Sequence, residues 1–179
     1  MALAIYGLIA ALFTGLSGNV ARLLDVLGRK ADVRSALLVP AFVGQLAIIG
    51  LLLLAGAAIT PVLGHELARA AAAGLLAVTV FLVLKPYALV EPAEPTRSGF
   101  AIGLVAAAFA IRDGVASLAL ALGLIASDFT GLSAGLAMGT GVAAALALRG
   151  GAEKFGVNAR YGAATVLAAG AFYFGAFAQ

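Results

Sequence analysis

The chain has 179 residues, 64% of them hydrophobic and 11% charged, with a mean hydropathy of +1.13. Soluble domains run at about 45–50% apolar and about 25% charged, so a water-soluble domain and a disordered segment are both excluded, and an integral membrane protein is expected. The net charge of +3 comes from 11 Lys and Arg against 8 Asp and Glu, cysteine is absent, and His65 is the single histidine. Disulfides, thiolate chemistry and multi-histidine metal cages fall away with those counts.

A helix crossing the hydrocarbon core needs about 20 mostly apolar residues. In chain order six stretches qualify: 3–24, 35–59, 67–86, 99–126, 129–148 and 159–177. The first opens on Met-Ala-Leu-Ala-Ile-Tyr with no basic residue, which reads as a retained span rather than a cleaved leader. Gly28-Arg29-Lys30 closes it, and Asp32 or Ser35 stands where the second wants its N-cap. Thr60-Pro61 ends the second, His65-Glu66 reads as an interfacial cap on the third, and Lys85 and Tyr87 anchor the third's far end. Glu91-Pro92-Ala93-Glu94-Pro95 then separates the third from the fourth. Asp128 or Thr130 caps the fifth, and Arg149-Gly150-Gly151 ends it. The expected fold class is all-α, a polytopic bundle of six transmembrane helices, because short apolar segments without period-two alternation make no strands.

Arg22, Arg29, Lys30, Arg34, Lys85, Arg97, Arg149, Lys154 and Arg160 all flank connections one, three and five. The positive-inside bias puts those connections in the cytoplasm and both termini on the periplasmic side of what reads as a bacterial inner membrane. In such a chain the basic excess reports orientation, and no nucleic-acid partner is expected.

Residues 20–56 laid without gaps on 115–151 give 11 identities, including Val20/Val115, Leu23/Leu118, Gly28/Gly123, Gly44/Gly139 and Gly56/Gly151. The third and sixth stretches match at a different offset, with Ala68-Arg69 on Ala159-Arg160. Residues 1–90 and 97–179 are therefore expected to be two three-helix repeats, joined by a cytoplasmic Glu/Pro linker at 91–96. Three spans are an odd number, so the second repeat enters from the opposite face, giving a 3+3 inverted-topology repeat of the kind found in secondary transporters.

Arg112-Asp113 interrupts an otherwise uncharged span, which makes the pair a functional-site candidate by default. Neighbours along a helix point about 100° apart and do not neutralise each other. Arg22 and Asp25 share one helix face, so crossed pairs are expected, Arg22 with Asp113 and Arg112 with Asp25. The alternative is a neutral clamp that only registers helices. Gly18-Asn19 and Asp113-Gly114 hold corresponding places, and both dipeptides suit an interrupted helix. Asn19, Gln45, Ser117 and Thr140, with Ser17, could line an ion or solute path; the plainer reading is interhelical hydrogen bonding. Gly131, Gly135 and Gly139, like Gly99 and Gly103, make close-packing stripes and faces through which a homo-oligomer could form.

The stretches Leu16-Ser17-Gly18-Asn19-Val20-Ala21 and Ile111-Arg112-Asp113-Gly114-Val115-Ala116 resemble the doubled Glu-x-Gly-Asp-Lys/Arg-Thr/Ser signature of the small six-helix cation:proton exchangers. These are the calcium:cation antiporter-2 type within the LysE-like superfamily. The resemblance implies two three-helix repeats and paired acids that exchange a divalent cation for protons. Here the signature glutamates are Leu16 and Ile111, and the aspartates are Asn19 and Gly114, with Asp113 one position away. The expected function is thus a small secondary-transporter-like protein, exchanging a cation or other small solute for protons through a midplane site between the repeats. Its alternative is a non-transporting scaffold or assembly subunit with a lost ion site. No cofactor is expected, no metal ligand set is assigned, and no nucleophile–base constellation suggests an enzyme.

Overall fold

A computed structural model describes residues 1–30, 34–85 and 98–176, with the side chains of 27–30 and 34–37 outside that description. Asp32, Tyr87, Arg97, the Ser35 side chain and the expected linker at 91–96 lie outside the described residues. Everything regular is helical: α1 (Ala2–Ser17), α2 (Asn19–Lys30), α3 (Arg34–Leu63), α4 (His65–Leu84), α5 (Gly99–Arg112), α6 (Gly114–Leu124), α7 (Phe129–Ala147) and α8 (Gly151–Ala176).

Among the described residues three helices are long and apolar enough to cross a membrane: 38–63 of α3, all of α4 and all of α7. The number rises to five if each bent pair, α1 with α2 and α5 with α6, is one span. Their outward faces are apolar, with Val62 85%, Phe100 78% and Phe81 75% exposed. So much uncovered apolar surface on long apolar helices fits a lipid bilayer environment.

The helix ends follow local chemistry. α3 runs through Thr60-Pro61, where the sequence suggested a stop, and ends at Leu63. Pro61 lacks the N–H that would bond one turn back. Next to it, Thr60 Oγ1 lies 3.0 Å from Gly56 O and 2.9 Å from Leu124 O, so a hydroxyl ties this turn to α6. The stop is Gly64, whose φ of +77° is strained for any residue with a Cβ. α7 is capped by Asp128, whose Oδ1 accepts from Gly131 N at 2.9 Å. α8 begins at Gly151, eight residues before the apolar stretch does.

Small residues set how the helices pair. Ala4, Leu8 and Gly15 of α1 lie against Gly135, Gly139 and Ala143 of α7 in that order, so these two run the same way. Pro40 and Gly44 of α3 lie against Gly99 and Gly103, and Gly56 against Gly123, so α3 runs with α5 and α6. Tyr6 and Phe13 of α1 face Gly170 and Gly162, which sets α8 opposite to α1. One leucine-rich core, with Leu53, Leu76, Leu118, Leu122, Leu132, Leu136 and Leu167, fills the centre.

Candidate functional site

Both bent pairs break at corresponding positions, Gly18 and Asp113. The bends are 55° and 66°. Gly18 has φ −80° and ψ 171°, and Asp113 has φ −84° and ψ 152°, so each break is one residue of extended backbone. The sequence expectation of interrupted helices at these two places holds.

A helix start leaves backbone N–H groups without partners. At the start of α2 these groups are met from the other half of the chain. Asp113 Oδ1 accepts from Asn19 N at 2.9 Å and from Asn19 Nδ2 at 2.8 Å, while Oδ2 accepts from Val20 N at 3.1 Å. A carboxylate there also meets the positive end of the helix dipole. Glycine at 18 is required by space and not by backbone angle: a Cβ would fall 2.9 Å from Asp113 Cγ. At the start of α6 the N-cap, Asp113, makes no side-chain cap hydrogen bond.

This arrangement corrects the crossed pairs expected from sequence. Asp113, 5% exposed, is held by N–H donors and not by Arg22. Asp25 is buried beside Gly150, where a Cβ would lie 3.9 Å from its Oδ1, and it pairs with no Arg112 side chain. Arg112 itself is exposed on the chain surface rather than sealed within it.

A cavity of about 20 Å³ opens at the two breaks, lined by Thr14, Ser17, Gly18, Asn19, Arg22, Leu82, Val83, Lys85, Arg112, Asp113, Gly114 and Arg160. Four cationic side chains converge there, and Asp113 is the only acid lining it among the described residues. Of the residues singled out from sequence, Asn19, Arg22, Arg112 and Asp113 meet at this cavity, with Ser17 beside them. Asp25, Gln45, Ser117 and Thr140 are not part of its lining. Gln45 is buried on α3 with no partner for Oε1, and Thr140 on α7 spends its hydroxyl on Leu136 O at 2.7 Å. Lys85 and Arg160 were read as orientation charges. The repeat match of Ala68-Arg69 with Ala159-Arg160 does not place Arg160 here, since Arg69 lines a different cavity.

Depth follows from the helix register. Gly114 packs on Thr79 and Val83, near the finish of α4 at Leu84, and Gly18 follows the 16 residues of α1. The breaks thus lie toward one end of α1 and α4. At the other end of α1, α4 and α8 a larger cavity of about 570 Å³ is lined by Tyr6, Arg69, Ser127, Tyr173 and Phe174, among others. Tyr6 Oη donates to Val166 O at 3.2 Å and its ring meets Phe174 edge-on at 6.2 Å. Among the described residues no three His, Cys, Asp or Glu side chains come together in a way that could hold a metal ion. No protein-family model, curated protein or solved structure matches the chain.

Proposed function

We propose that the chain is a small secondary transporter of the bacterial inner membrane, passing a solute between two halves that cross at the helix breaks. The observation that carries this reading is the meeting of the two breaks, each on the first element of its half, through Asp113 and the start of α2. Broken helices whose ends face one another are where transporters hold solutes.

An inverted repeat of six spans, with both termini outside, is the architecture that fits the contacts. Pro40 and Gly44 against Gly99 and Gly103 are matched, 95 positions away, by Gly135 and Gly139 against Ala4 and Leu8. α1 parallel to α7, matched by α3 parallel to α5, is the exchange of partners that an inverted repeat requires. In this reading α8, with Arg160 ten residues along it, is the sixth span. The resemblance to the calcium:cation antiporter-2 exchangers is retained for helix layout and given up for ion chemistry, because the one acid at the breaks is bonded and ringed by cations.

A second reading, the scaffold, is favoured by one observation: both Asp113 oxygens are occupied by hydrogen bonds that hold the halves together. Vesicles reconstituted with the full chain and assayed against a panel of ions, phosphate and amino acids separate the two. Transport predicts saturable uptake of at least one solute, reduced in Asp113→Asn. Absence of uptake for every solute, with protein correctly inserted, leaves the scaffold.

A further inference from the structure

We infer that the two cavities are the ends of one axial path between α1, α4, α6 and α8, closed by a plug of Leu76, Leu118, Leu122 and Leu167. That a solute travels this path rests on the transporter reading; that the path is there rests on packing. α1 packs on α8, α8 on α4, α4 on α6 and α6 on α1, so the four helices close a ring. Among the described residues the diagonals, α1 with α4 and α6 with α8, share no packed interface. α3 packs on α6 and α7 on α1, and neither contributes a residue to the lining of either cavity.

Helix periodicity decides where the inner faces of the ring lead, because residues three or four apart share a face. On α1 one face runs Tyr6, Ala10, Thr14, Ser17, from the large cavity to the small one. On α4 the face Arg69, Ala72, Leu76, Thr79, Val83 does the same. On α6 the face starts at Gly114 in the small cavity and passes Leu118 and Leu122 to Ile125 in the large one. On α8 it runs from Arg160 in the small cavity through Ala163 and Leu167 to Gly170 and Phe174 in the large one. All four faces thus join the same two cavities, and the residues between the ends are fully buried.

The closed stretch is short, roughly 12 Å from Tyr6 to Thr14 at about 1.5 Å per residue. Thr14 and Thr79 meet over Gly114, where an added Cβ would lie 3.7 Å and 3.1 Å from their Cγ2 methyl groups. Their hydroxyls donate back along their own helices, to Ala10 O and Leu75 O, each at 2.6 Å. Beyond them, toward the large cavity, these faces carry only alanine and leucine within the closed stretch, and the leucines are its bulky groups. A dry constriction of this kind excludes water and ions while it stays packed. Leu53 of α3 and Leu136 of α7 supply the contrast, being equally buried in the same core but off the ring.

The test reads the glycerol permeability of vesicles holding the full chain, by stopped-flow light scattering. Leu76→Ala combined with Leu167→Ala should raise it about threefold or more over the parent. Leu53→Ala combined with Leu136→Ala removes as much side chain off the ring and should stay at the parent level. An equal rise in both overturns the path, because it reports general loosening. A parent-level result for an axial pair that inserts and keeps its helical circular dichroism overturns it too. If the axial pair does not insert, Ala72→Cys and Ala163→Cys, each a small change, carry the test. Both should be modified by methanethiosulfonate ethylammonium under conditions that spare Leu53→Cys. Silence at both, or equal reaction at all three, overturns the path. Uptake assays on the parent keep the two claims apart. Saturable uptake without a leak in the axial pair removes the path and leaves transport. A leak confined to the axial pair, without saturable uptake by the parent, upholds the path and removes transport.

Discussion

The two helix breaks have nearly the same backbone and opposite chemistry. At Gly18 the break offers no side chain and leaves room, and the carboxylate that enters belongs to the other break. At Asp113 the break gives its side chain away, and the start of α6 is left facing a cavity rich in arginine. Two similar breaks thus differ in how their helix starts are met. The Asp113 carboxylate ties the start of α2 to the other break, while the start of α6 borders the small cavity.

The largest effect should come from breaking the Asp113 tie. Asp113→Ala strands three buried donors, and a loss of about 3 kcal/mol is expected in denaturant titration of the detergent-solubilised chain. Asp113→Asn keeps an acceptor and should cost about 1 kcal/mol. If Asp113→Ala melts like the parent, the carboxylate does not hold the halves.

Filling the empty break comes next. Gly18→Ala puts a methyl group on the carboxylate, and about 2 kcal/mol should be lost, provided the joint is as tight as the hydrogen bonds make it. A neutral outcome would mean that the start of α2 can shift away without cost.

The glycine stripes sharpen the comparison further. Gly44 meets the backbone of Gly103, and Gly139, 95 positions on, meets Leu8 and Leu12. Gly44→Ala and Gly139→Ala should each lose about 1 to 2 kcal/mol, by similar amounts, if the two halves use one packing scheme. Strongly unequal losses would show that the second stripe is not equivalent to the first. The smallest effect belongs to Gly50, also within α3, where an added Cβ meets nothing within 4 Å. Gly50→Ala should leave stability unchanged or raise it by less than about 1 kcal/mol.

Much of this frame was legible in the sequence, for physical reasons that can be named. Apolar runs report a bilayer because nothing else tolerates Val62, Phe81 and Phe100 on a surface. Gly18-Asn19 and Asp113-Gly114 stood out as interruptions, and Asp128 as a cap, because these residues act on backbone close by in the chain. The partner of Asp113 was not legible. Charges are visible in a sequence and suggested Arg22, but the N–H groups that hold Asp113 exist only once the chain has broken at Gly18. Likewise Thr60-Pro61 reads as a stop until Leu124 O stands within reach of the Thr60 hydroxyl, which requires α6 alongside α3. The cationic lining is not legible because Lys85 and Arg160 belong to other helices; Asp25 and Ser117 sit near the motifs in sequence, and Gln45 and Thr140 are equivalent under the 95-residue offset, but neither relation brings a side chain to the cavity.

The account turns on two cavities at opposite ends of the bundle, and the absence of native cysteine makes the test clean. Ser17→Cys and Ser127→Cys, one in each cavity, are labelled with a membrane-impermeant maleimide in sealed vesicles of a single orientation. The account predicts that Cys at 127 reacts from outside only and Cys at 17 only after the inner face is opened. Reaction of both from the same face contradicts it.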